Sequence, residues 1–514
     1  MHRASLLCAA AALVVTALGP GATGSTPPDP HDPELARFYG QRIHWGPCPA
    51  GFQASMRCGH LNVPLDYADP AKGTVNLAVT RHPATGQRRL GSLVLNYGGP
   101  GGAGLPILSK GLTEPERAKR YQALAQSYDL VSFDPRGVGS SAPISCAGAL
   151  PVRKTESMDA AALLRANEAA VRSCRAHSGP VLPYVGTVNV ARDMDVLRQA
   201  LGEPRLNYLG WSYGTRLGAV YAAQFPERTG RFVLDGVDTL FDPLADQQLA
   251  TARGQQIAYD AFLDWCSEQQ GCLYHGVDPV RAEARTEALV ERLDAKPLNL
   301  PGGGRFSGAD LALAIENDLY SPWDWPALER GLGKLVREQD PSGLLEAAKP
   351  EEDNEGAAWA AVSCADYPDR GVGGDPRALQ RQLDALRPEF LKASKIFGPG
   401  ELSEIAYCQG WPAPVDPTSG LKPEHVPPML LVGVRGDPAT PYAWTEETAR
   451  LLGPNAVVVD YKGEGHTGFR HSACVHRHIE RFLLEGTLPQ GNVSCPAEGI
   501  DARGHEEVRP APQE

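Results

Sequence analysis

The sequence has no long run of lysine or arginine, and its 514 residues carry a formal net charge of −12. Because nucleic-acid binding requires a basic surface that neutralises phosphates, this composition argues against a nucleic-acid partner. Beyond its N-terminus the chain also lacks a run of about 20 apolar residues, the length that spans a bilayer as a helix. We therefore expect no stable insertion into a membrane. The remaining composition, 42% hydrophobic and 21% charged, is typical of a globular protein.

The N-terminus has the pattern of an export signal. A short positive segment at residues 1–3 precedes an almost wholly apolar run from Leu6 to Leu18, and small residues follow at 19–24. The apolar run is too short to cross a bilayer comfortably. We therefore expect residues 1–24 to be a signal peptide and the mature protein to be secreted.

The sequence contains no CxxC motif, and its absence argues against the commonest kind of zinc site. Cys8 lies in the signal, and the even set that remains suggests disulfides in an exported protein. Neighbouring couples predict five bridges: Cys48–Cys58, Cys146–Cys174, Cys266–Cys272, Cys364–Cys408 and Cys474–Cys495. The alternative is a zinc site built from His471, Cys474, His476 and His478. Because a metal at Cys474 would leave one cysteine without a partner, we prefer the disulfides and expect no metal.

The strongest motif is Gly210-Trp211-Ser212-Tyr213-Gly214, which matches G-x-S-x-G. It lies between a predicted strand at 206–210 and a predicted helix at 214–225, and this context is what a nucleophile elbow requires. The glycines permit a strained, tightly packed turn. The helix N-terminus behind the serine favours developing negative charge. The motif predicts that Ser212 is a nucleophile.

A serine nucleophile needs a base, and in this arrangement the partners follow in the order serine, acid, histidine. Asp437 follows a predicted strand at 429–433, and His466 follows the next at 456–461. Asp437 would hold the imidazole in the correct tautomer and stabilise the imidazolium. The alternative acids are Asp235, Asp238 and Glu464, and the alternative bases are His471 and His476.

A glycine-rich loop at 96–102 follows an early buried strand at 92–96. It can supply one backbone donor of an oxyanion hole, and the N–H of Tyr213 the other. The alternative is a phosphate cradle, because Gly99, Gly101 and Gly104 fit GxGxxG spacing. No Walker lysine follows, and the motifs downstream explain the same loop without a cofactor, so none is expected.

Strands alternate with helices on both sides of a long helical and irregular stretch. Further buried strands are predicted at 128–133 and 231–234, and a helix at 191–201. This alternation predicts a mostly parallel sheet covered on both faces. We expect residues 25–240 and 425–500 to form one core, 241–424 a helical cap inserted into it, and 501–514 a disordered tail. The alternative is two independent domains in series.

Several motifs together resemble one known family. They are the Gly-Gly-Pro-Gly loop at 98–101, the elbow with Thr215, the Gly-Asp-Pro-Ala-Thr-Pro segment at 436–441, and the segments 63–67 and 361–366. In these segments the chain is similar to the proline iminopeptidase-like serine peptidases, and within them to the secreted tripeptidyl aminopeptidases of actinobacteria. The resemblance implies an α/β-hydrolase fold with a mostly parallel central sheet and a large, mostly helical cap.

The same resemblance implies an exopeptidase that removes short peptides, tripeptides in particular, or single residues from free N-termini. It assigns Ser212, Asp437 and His466 to the triad, with Gly98 and Tyr213 as oxyanion donors. One position departs from the pattern, since the cytoplasmic iminopeptidases have histidine where this chain has Tyr97. This departure puts proline-specific cleavage of single residues in doubt.

An aminopeptidase must hold the ammonium group of its substrate, and carboxylates in the cap meet that need. The candidates are Glu316, Asp318 and Asp366. Trp323 and Trp325 either line the cleft or belong to the core. The expected partners are peptides with free N-termini, and the expected state is a monomer. A lid over the cleft would admit a chain end, exclude folded protein and shield the reacting groups from water.

Two other functions remain open from the sequence. The first is an esterase or lipase, which would use the same triad. The second is a hydrolase-fold protein that binds or adheres without catalysis. The chain has a candidate residue for each triad position, namely Ser212, Asp437 and His466, and this favours an enzyme over the binding protein.

Overall fold

The computed structural model describes residues 29, 32–150, 159–301, 303–349, 353–367, 374–412, 415–418, 421–423 and 426–499. The expected signal peptide at 1–24 and the expected tail at 501–514 lie outside these ranges. Within them, none of the helices is both long and apolar enough to cross a membrane.

Ten strands form one sheet, and two short strands pair separately. The strands are β1 (Gly46–Pro47), β2 (Arg57–Pro64), β3 (Thr74–His82), β4 (Ser92–Asn96), β5 (Asp129–Phe133), β6 (Leu206–Trp211), β7 (Thr229–Asp235), β8 (Leu298–Asn299), β9 (Arg305–Phe306), β10 (Met429–Gly436), β11 (Ala456–Glu464) and β12 (Val493–Cys495). The spatial order is β1-β2-β3-β5-β4-β6-β7-β10-β11-β12. The first three strands and β5 pair antiparallel, and all pairs from β5 to β12 are parallel.

The helices follow the strands along the chain. They are α1 (Ala36–Tyr39), α2 (Gly104–Thr113), α3 (Pro115–Ser127), α4 (Ala160–His177), α5 (Thr187–Ala200), α6 (Tyr213–Gln224), α7 (Leu244–Glu268), α8 (Pro279–Ala295), α9 (Gly308–Leu319), α10 (Trp325–Glu338), α11 (Asp353–Asp366), α12 (Pro376–Ala393), α13 (Gly398–Glu404), α14 (Tyr442–Leu452) and α15 (Ala473–Glu485). The predicted strands and the two predicted helices are present, with small changes at their ends.

Both faces of the sheet are covered, as the continuous apolar runs predict. In β4, Leu93 and Leu95 belong to the core on one face, whereas Val94 belongs to the core on the other. This alternation follows from the two-residue repeat of a strand. A mostly parallel sheet with crossover helices on both faces, and with antiparallel strands at one edge, is the α/β-hydrolase fold that was predicted.

The chain between β7 and β10 is mostly helical. It contains α7 to α13 and the hairpin of β8 with β9, and it has a core of its own around Phe262 and Trp325. A second cluster joins this segment to α4 through Leu164, Leu379 and Leu383. We propose that this segment is the cap expected at 241–424.

The structure contains disulfides at all five predicted pairs. Three of them join separate parts of the fold. Cys48–Cys58 links the residue after β1 to β2, Cys364–Cys408 links α11 to the chain after α13, and Cys474–Cys495 links α15 to β12. Because Cys474 is bonded to Cys495, its thiolate is not available for the alternative zinc site.

A buried ion pair fastens helix α5 to the antiparallel edge of the sheet. Arg136 and Asp193 are both fully buried, and two guanidinium nitrogens donate to the carboxylate at 2.6 and 2.7 Å. The guanidinium also donates to the carbonyls of Pro64 and Leu65, and the hydroxyl of Tyr67 donates to Asp193 at 2.8 Å. All three guanidinium nitrogens of Arg136 and both carboxylate oxygens of Asp193 are therefore engaged, which offsets the cost of burying two charges.

We expect Asp193→Asn to destabilise the fold by about 3–5 kcal/mol, because it leaves the Arg136 charge buried without its partner. Urea unfolding followed by circular dichroism measures the change. Glu116→Gln is the matched control, since it breaks the exposed pair of Glu116 with Lys119 and should leave the midpoint where it was. Equal midpoints for all three proteins would contradict this account.

Candidate active site

Ser212 lies in a sharp turn between strand β6 and helix α6. Its φ of 57° and ψ of −131° are strained for a residue with a side chain. The flanking glycines are required by close packing. A Cβ on Gly210 would lie 2.5 Å from the carbonyl oxygen of Gly214, and one on Gly214 would lie 2.7 Å from Asn96 Oδ1. The turn has the geometry of a nucleophile elbow.

The structure brings Asp437 and His466 together at the carboxyl ends of β10 and β11. His466 Nδ1 lies 2.9 Å from Oδ1 and 3.0 Å from Oδ2 of Asp437. A carboxylate can only accept, so Nδ1 carries the proton and Nε2 is the basic nitrogen. Ser212 and His466 line the same cavity. The three residues follow one another in the order serine, acid, histidine, and we propose that they form a serine hydrolase triad.

Asp437 is fully buried and richly hydrogen-bonded. Its carboxylate accepts the backbone N–H groups of Ala439 and Thr440, the hydroxyl of Thr440 and the N–H of Thr467. Burial alone would raise the pKa of Asp437, but His466 and these donors hold it below its ordinary value. The group therefore stays ionised and can orient the imidazole.

The oxyanion donors predicted were Tyr213 and Gly98. Tyr213 begins helix α6, directly after Ser212. Gly98 packs against Ser212 with a φ of 82°, but its N–H donates to Asn96 Oδ1 at 3.1 Å. Gly99 lines the cavity beside Ser212 and Tyr213. Because the N–H of Gly98 is already engaged, the N–H of Gly99 is the better candidate for the second donor.

The alternative acids have other partners. The side chain of Asp235 accepts the N–H groups of Gly468 and Phe469 at 2.7 and 2.8 Å, and burial raises its pKa to about 6. Asp238 pairs with Arg216 at 3.1 Å. In the described structure, neither of these carboxylates forms a hydrogen bond with His466.

The alternative bases are also engaged elsewhere. Nδ1 of His471 donates to the carbonyl of Thr467, and burial lowers the pKa of His471 to about 3. Nε2 of His476 donates to the carbonyl of Arg120. Of the predicted bases, only His466 lines a cavity with Ser212.

An acidic cavity opens on one side of Ser212. We use this name for the cavity lined by Gly99, Ser212, Tyr213, Arg216, Asp238, Glu316, Tyr320, Glu401, Glu404 and Trp444, among others. Glu316, Glu401 and Glu404 are all buried. Four carboxylates and one guanidinium thus face this space, so it favours a cationic group.

Of the three cap carboxylates predicted to hold a substrate, only Glu316 lines this cavity. Asp366 is buried elsewhere and accepts the N–H and the hydroxyl of Thr187. Asp318 lies on the same helix as Glu316, but it lines neither cavity beside Ser212. The structure thus places Glu316 beside Ser212, whereas Asp318 and Asp366 stay predictions that the lining of the two cavities does not support.

The sequence reasoning missed Glu401 and Glu404. Both lie on helix α13, and their spacing of three residues places them on one helix face. That spacing was visible, but an acidic pair on a short helix is also the pattern of a solvated surface. Of the two tryptophans left open, Trp325 is core, and Trp323 packs against His471 and Arg120.

A strained serine at an elbow, a histidine paired with a buried aspartate and an α/β-hydrolase sheet define a serine hydrolase. The comparisons name its family. A family described as TAP-like protein matches residues 394–495. The chain is 33% identical over 496 residues to the serine protease Hip1 of Mycobacterium tuberculosis, covering 89% of this chain and 91% of that protein.

It is also 32% identical over 495 residues to the tripeptidyl aminopeptidase of Streptomyces lividans, covering 90% and 88%. A carboxylesterase B of Mycobacterium tuberculosis is 33% identical over 472 residues, covering 86% of each. Among solved structures, a proline iminopeptidase of Mycobacterium smegmatis matches 83% of this chain and all of that chain, at 15% identity and a TM-score of 0.38. The chain belongs to the TAP-like family of serine peptidases.

Glu464, the third alternative acid, offers a pH test. Burial raises its pKa to about 7, and in the described structure its Oε2 has no hydrogen-bond partner. The folded protein therefore holds a proton that the unfolded chain has lost, and this stabilisation disappears as the pH rises from about 4.5 to about 7. We expect the Tm of Glu464→Gln, measured relative to that of the unchanged protein, to increase as the pH rises through this range. An equal Tm difference at pH 5 and pH 8 would contradict the shift.

Proposed function

We propose that the protein is a secreted serine aminopeptidase that releases short peptides, tripeptides in particular, from free N-termini. Ser212, Asp437 and His466 form its triad. The observation that carries the proposal is the acidic cavity beside Ser212, because an aminopeptidase needs negative charge where the substrate ammonium group lies.

The position of His466 sets the direction of the peptide. In acyl transfer the histidine protonates the leaving amine, so the leaving part must lie on its side of Ser212. His466 does not line the acidic cavity, whereas Gly99 and Tyr213 do. The acyl part, which carries the free N-terminus in an aminopeptidase, therefore extends into the acidic cavity.

The burial of these carboxylates strengthens their effect on a substrate ammonium group. Coulomb interactions are stronger in the partly dry interior than in water, because the effective dielectric constant is lower there. Gln255 Nε2 donates to Glu401 Oε1 at 2.8 Å and helps to orient it. An acetylated N-terminus has no charge and loses this attraction.

The mechanism follows from the geometry. Ser212 attacks the scissile carbonyl while His466 takes its proton, and Asp437 stabilises the imidazolium. The tetrahedral oxyanion is held by the N–H of Tyr213 and by the glycine loop, through Gly98 as first expected or through Gly99. His466 then protonates the leaving amine, and water releases the acyl peptide by the reverse sequence.

The disulfides support secretion. The structure has five of them, and disulfides persist in oxidising compartments but are rare in the cytosol. The helical segment between β7 and β10 supplies Glu316, Glu401 and Glu404 to the cavity. As a cap, it would select chain ends and exclude folded proteins.

The second candidate is an esterase with the same triad. It is favoured by the relative named carboxylesterase B, whose identity to this chain equals that of Hip1. The acidic cavity favours the peptidase, because a neutral ester gains nothing from buried negative charge.

The substrate test uses one-, two- and three-residue peptides with free N-termini joined to a chromogenic amine, with acetylated copies and a short-chain ester. We expect release from the free tripeptide to exceed release from its acetylated copy by at least about 10-fold in kcat/KM. Ser212→Ala should abolish release. Equal cleavage of both copies would overturn the ammonium site, and hydrolysis of the ester alone would favour the esterase.

A second test concerns the cap carboxylates. We expect Glu316→Gln and Glu404→Gln each to lower kcat/KM for the free tripeptide by about 10- to 100-fold, mainly through KM, because a charge-assisted contact is lost. Asp318→Asn is the matched control on the same helix and should keep its kcat/KM. If the glutamine variants weaken ester hydrolysis as much as peptide hydrolysis, they disturb the triad rather than the ammonium site.

A further inference from the structure

A second cavity beside Ser212 is basic. We call it the arginine cavity. Among the residues that the structure describes, it is lined by Arg117, Arg120 and Arg470, with Asp324 as the one carboxylate, and it also contacts Ser212 and His466. Its volume of about 320 Å³ falls in the range of small-ligand sites. Three guanidinium groups against one carboxylate make it a site for an anion.

The three arginines come from two elements that meet beside the triad. Arg117 and Arg120 are one turn apart on helix α3, and Arg470 follows the loop that carries His466. Nε of Arg117 pairs with Glu114 at 2.9 Å, and the guanidinium of Arg120 lies 4.9 Å from the ring centre of Trp323. These contacts hold two of the arginines in place.

Arg470 differs from the other two. Among the described residues, no carboxylate lies within ion-pair distance of its guanidinium. Burial, followed by repulsion from Arg117 and Arg120, lowers the pKa of Arg470, and the more distant Asp324 offsets this only in part. The folded protein thus keeps three like charges together beside its nucleophile, an arrangement that an anionic ligand would relieve.

We propose that the arginine cavity binds a carboxylate on the leaving part of the substrate, within one or two residues of the scissile bond. This inference rests on the proposed function, because only acyl transfer places the leaving amine on the His466 side. The charged guanidinium fork suits a carboxylate through paired N–H donors.

The two cavities together match the charges of a short peptide. The acidic cavity takes the ammonium end and the arginine cavity takes a carboxylate on the other side of Ser212. The carboxylate has two sources: the C-terminus of a peptide only one or two residues longer than the product, or an aspartate or glutamate side chain near the cut.

The test compares leaving groups. All substrates share one free N-terminal tripeptide and continue with a single residue: alanine as the C-terminal acid, alanine amide, aspartate amide or asparagine amide. Product formation is followed by liquid chromatography. Rates are divided by the fraction of protein labelled with a fluorophosphonate probe, so that misfolded enzyme does not contribute.

We expect the alanine acid to exceed the alanine amide in kcat/KM by at least about 10-fold, which is the size of one charge-assisted contact. If the aspartate amide substrate has a higher kcat/KM than the asparagine amide substrate, the arginine cavity also binds carboxylate side chains. Arg470→Gln should bring the ratio of acid to amide close to one. Arg481→Gln, on the exposed face of helix α15, is the matched control and should keep the ratio.

Arg470→Glu should reverse the charge preference of the cavity. A substrate that ends in lysine amide should then have a higher kcat/KM than the one that ends in the alanine acid. If either variant fails to fold, Arg117→Gln should still lower the ratio. Equal rates for acid and amide in the unchanged protein, with cleavage of both, would overturn this inference and leave the proposed function intact. Failure to cleave any peptide, with ester hydrolysis retained, would overturn both.

Discussion

One buried residue, Asp235, ties the nucleophile turn to the histidine loop. Its carbonyl accepts the N–H of Ser212 at 3.0 Å, and its side chain accepts the N–H groups of Gly468 and Phe469. The next residue, Gly236, donates to Val432 on the neighbouring strand. A carboxylate this deeply buried is costly unless its oxygens are bonded, so each contact depends on the others. The relative position of Ser212 and His466 follows from this junction.

Charges of opposite sign line the two cavities beside Ser212. Helices α9 and α13 bring glutamates to the acidic cavity, which we propose takes the acyl part, and helix α3 with the histidine loop brings arginines to the cavity proposed for the leaving part. Concentrating like charges costs folding free energy, and a protein keeps such an arrangement where substrate binding uses it. The proposed direction of the peptide and the proposed carboxylate site are thus two consequences of one electrostatic pattern.

The sequence predicted the parts of the molecule that local patterns determine. Apolar runs marked the parallel strands, the elbow marked Ser212, and residues after late strands marked Asp437 and His466. The cap was different, because which helix faces point to the cavity depends on tertiary packing. Asp366 therefore looked like a ligand although it bonds to Thr187, while Glu404 was overlooked. The hydrogen bond from Gly98 to Asn96, which bears on the choice of oxyanion donor, is visible only in three dimensions.

The most direct test of the account is a crystal structure of the protein with a tripeptidyl phosphonate that has a free N-terminus. The account predicts a covalent bond from phosphorus to Ser212 Oγ and the ammonium group among Glu316, Glu401 and Glu404. It also predicts that the arginine cavity remains free for the leaving group. An adduct with the ammonium group beside Arg470, or the absence of any bond to Ser212, would contradict it.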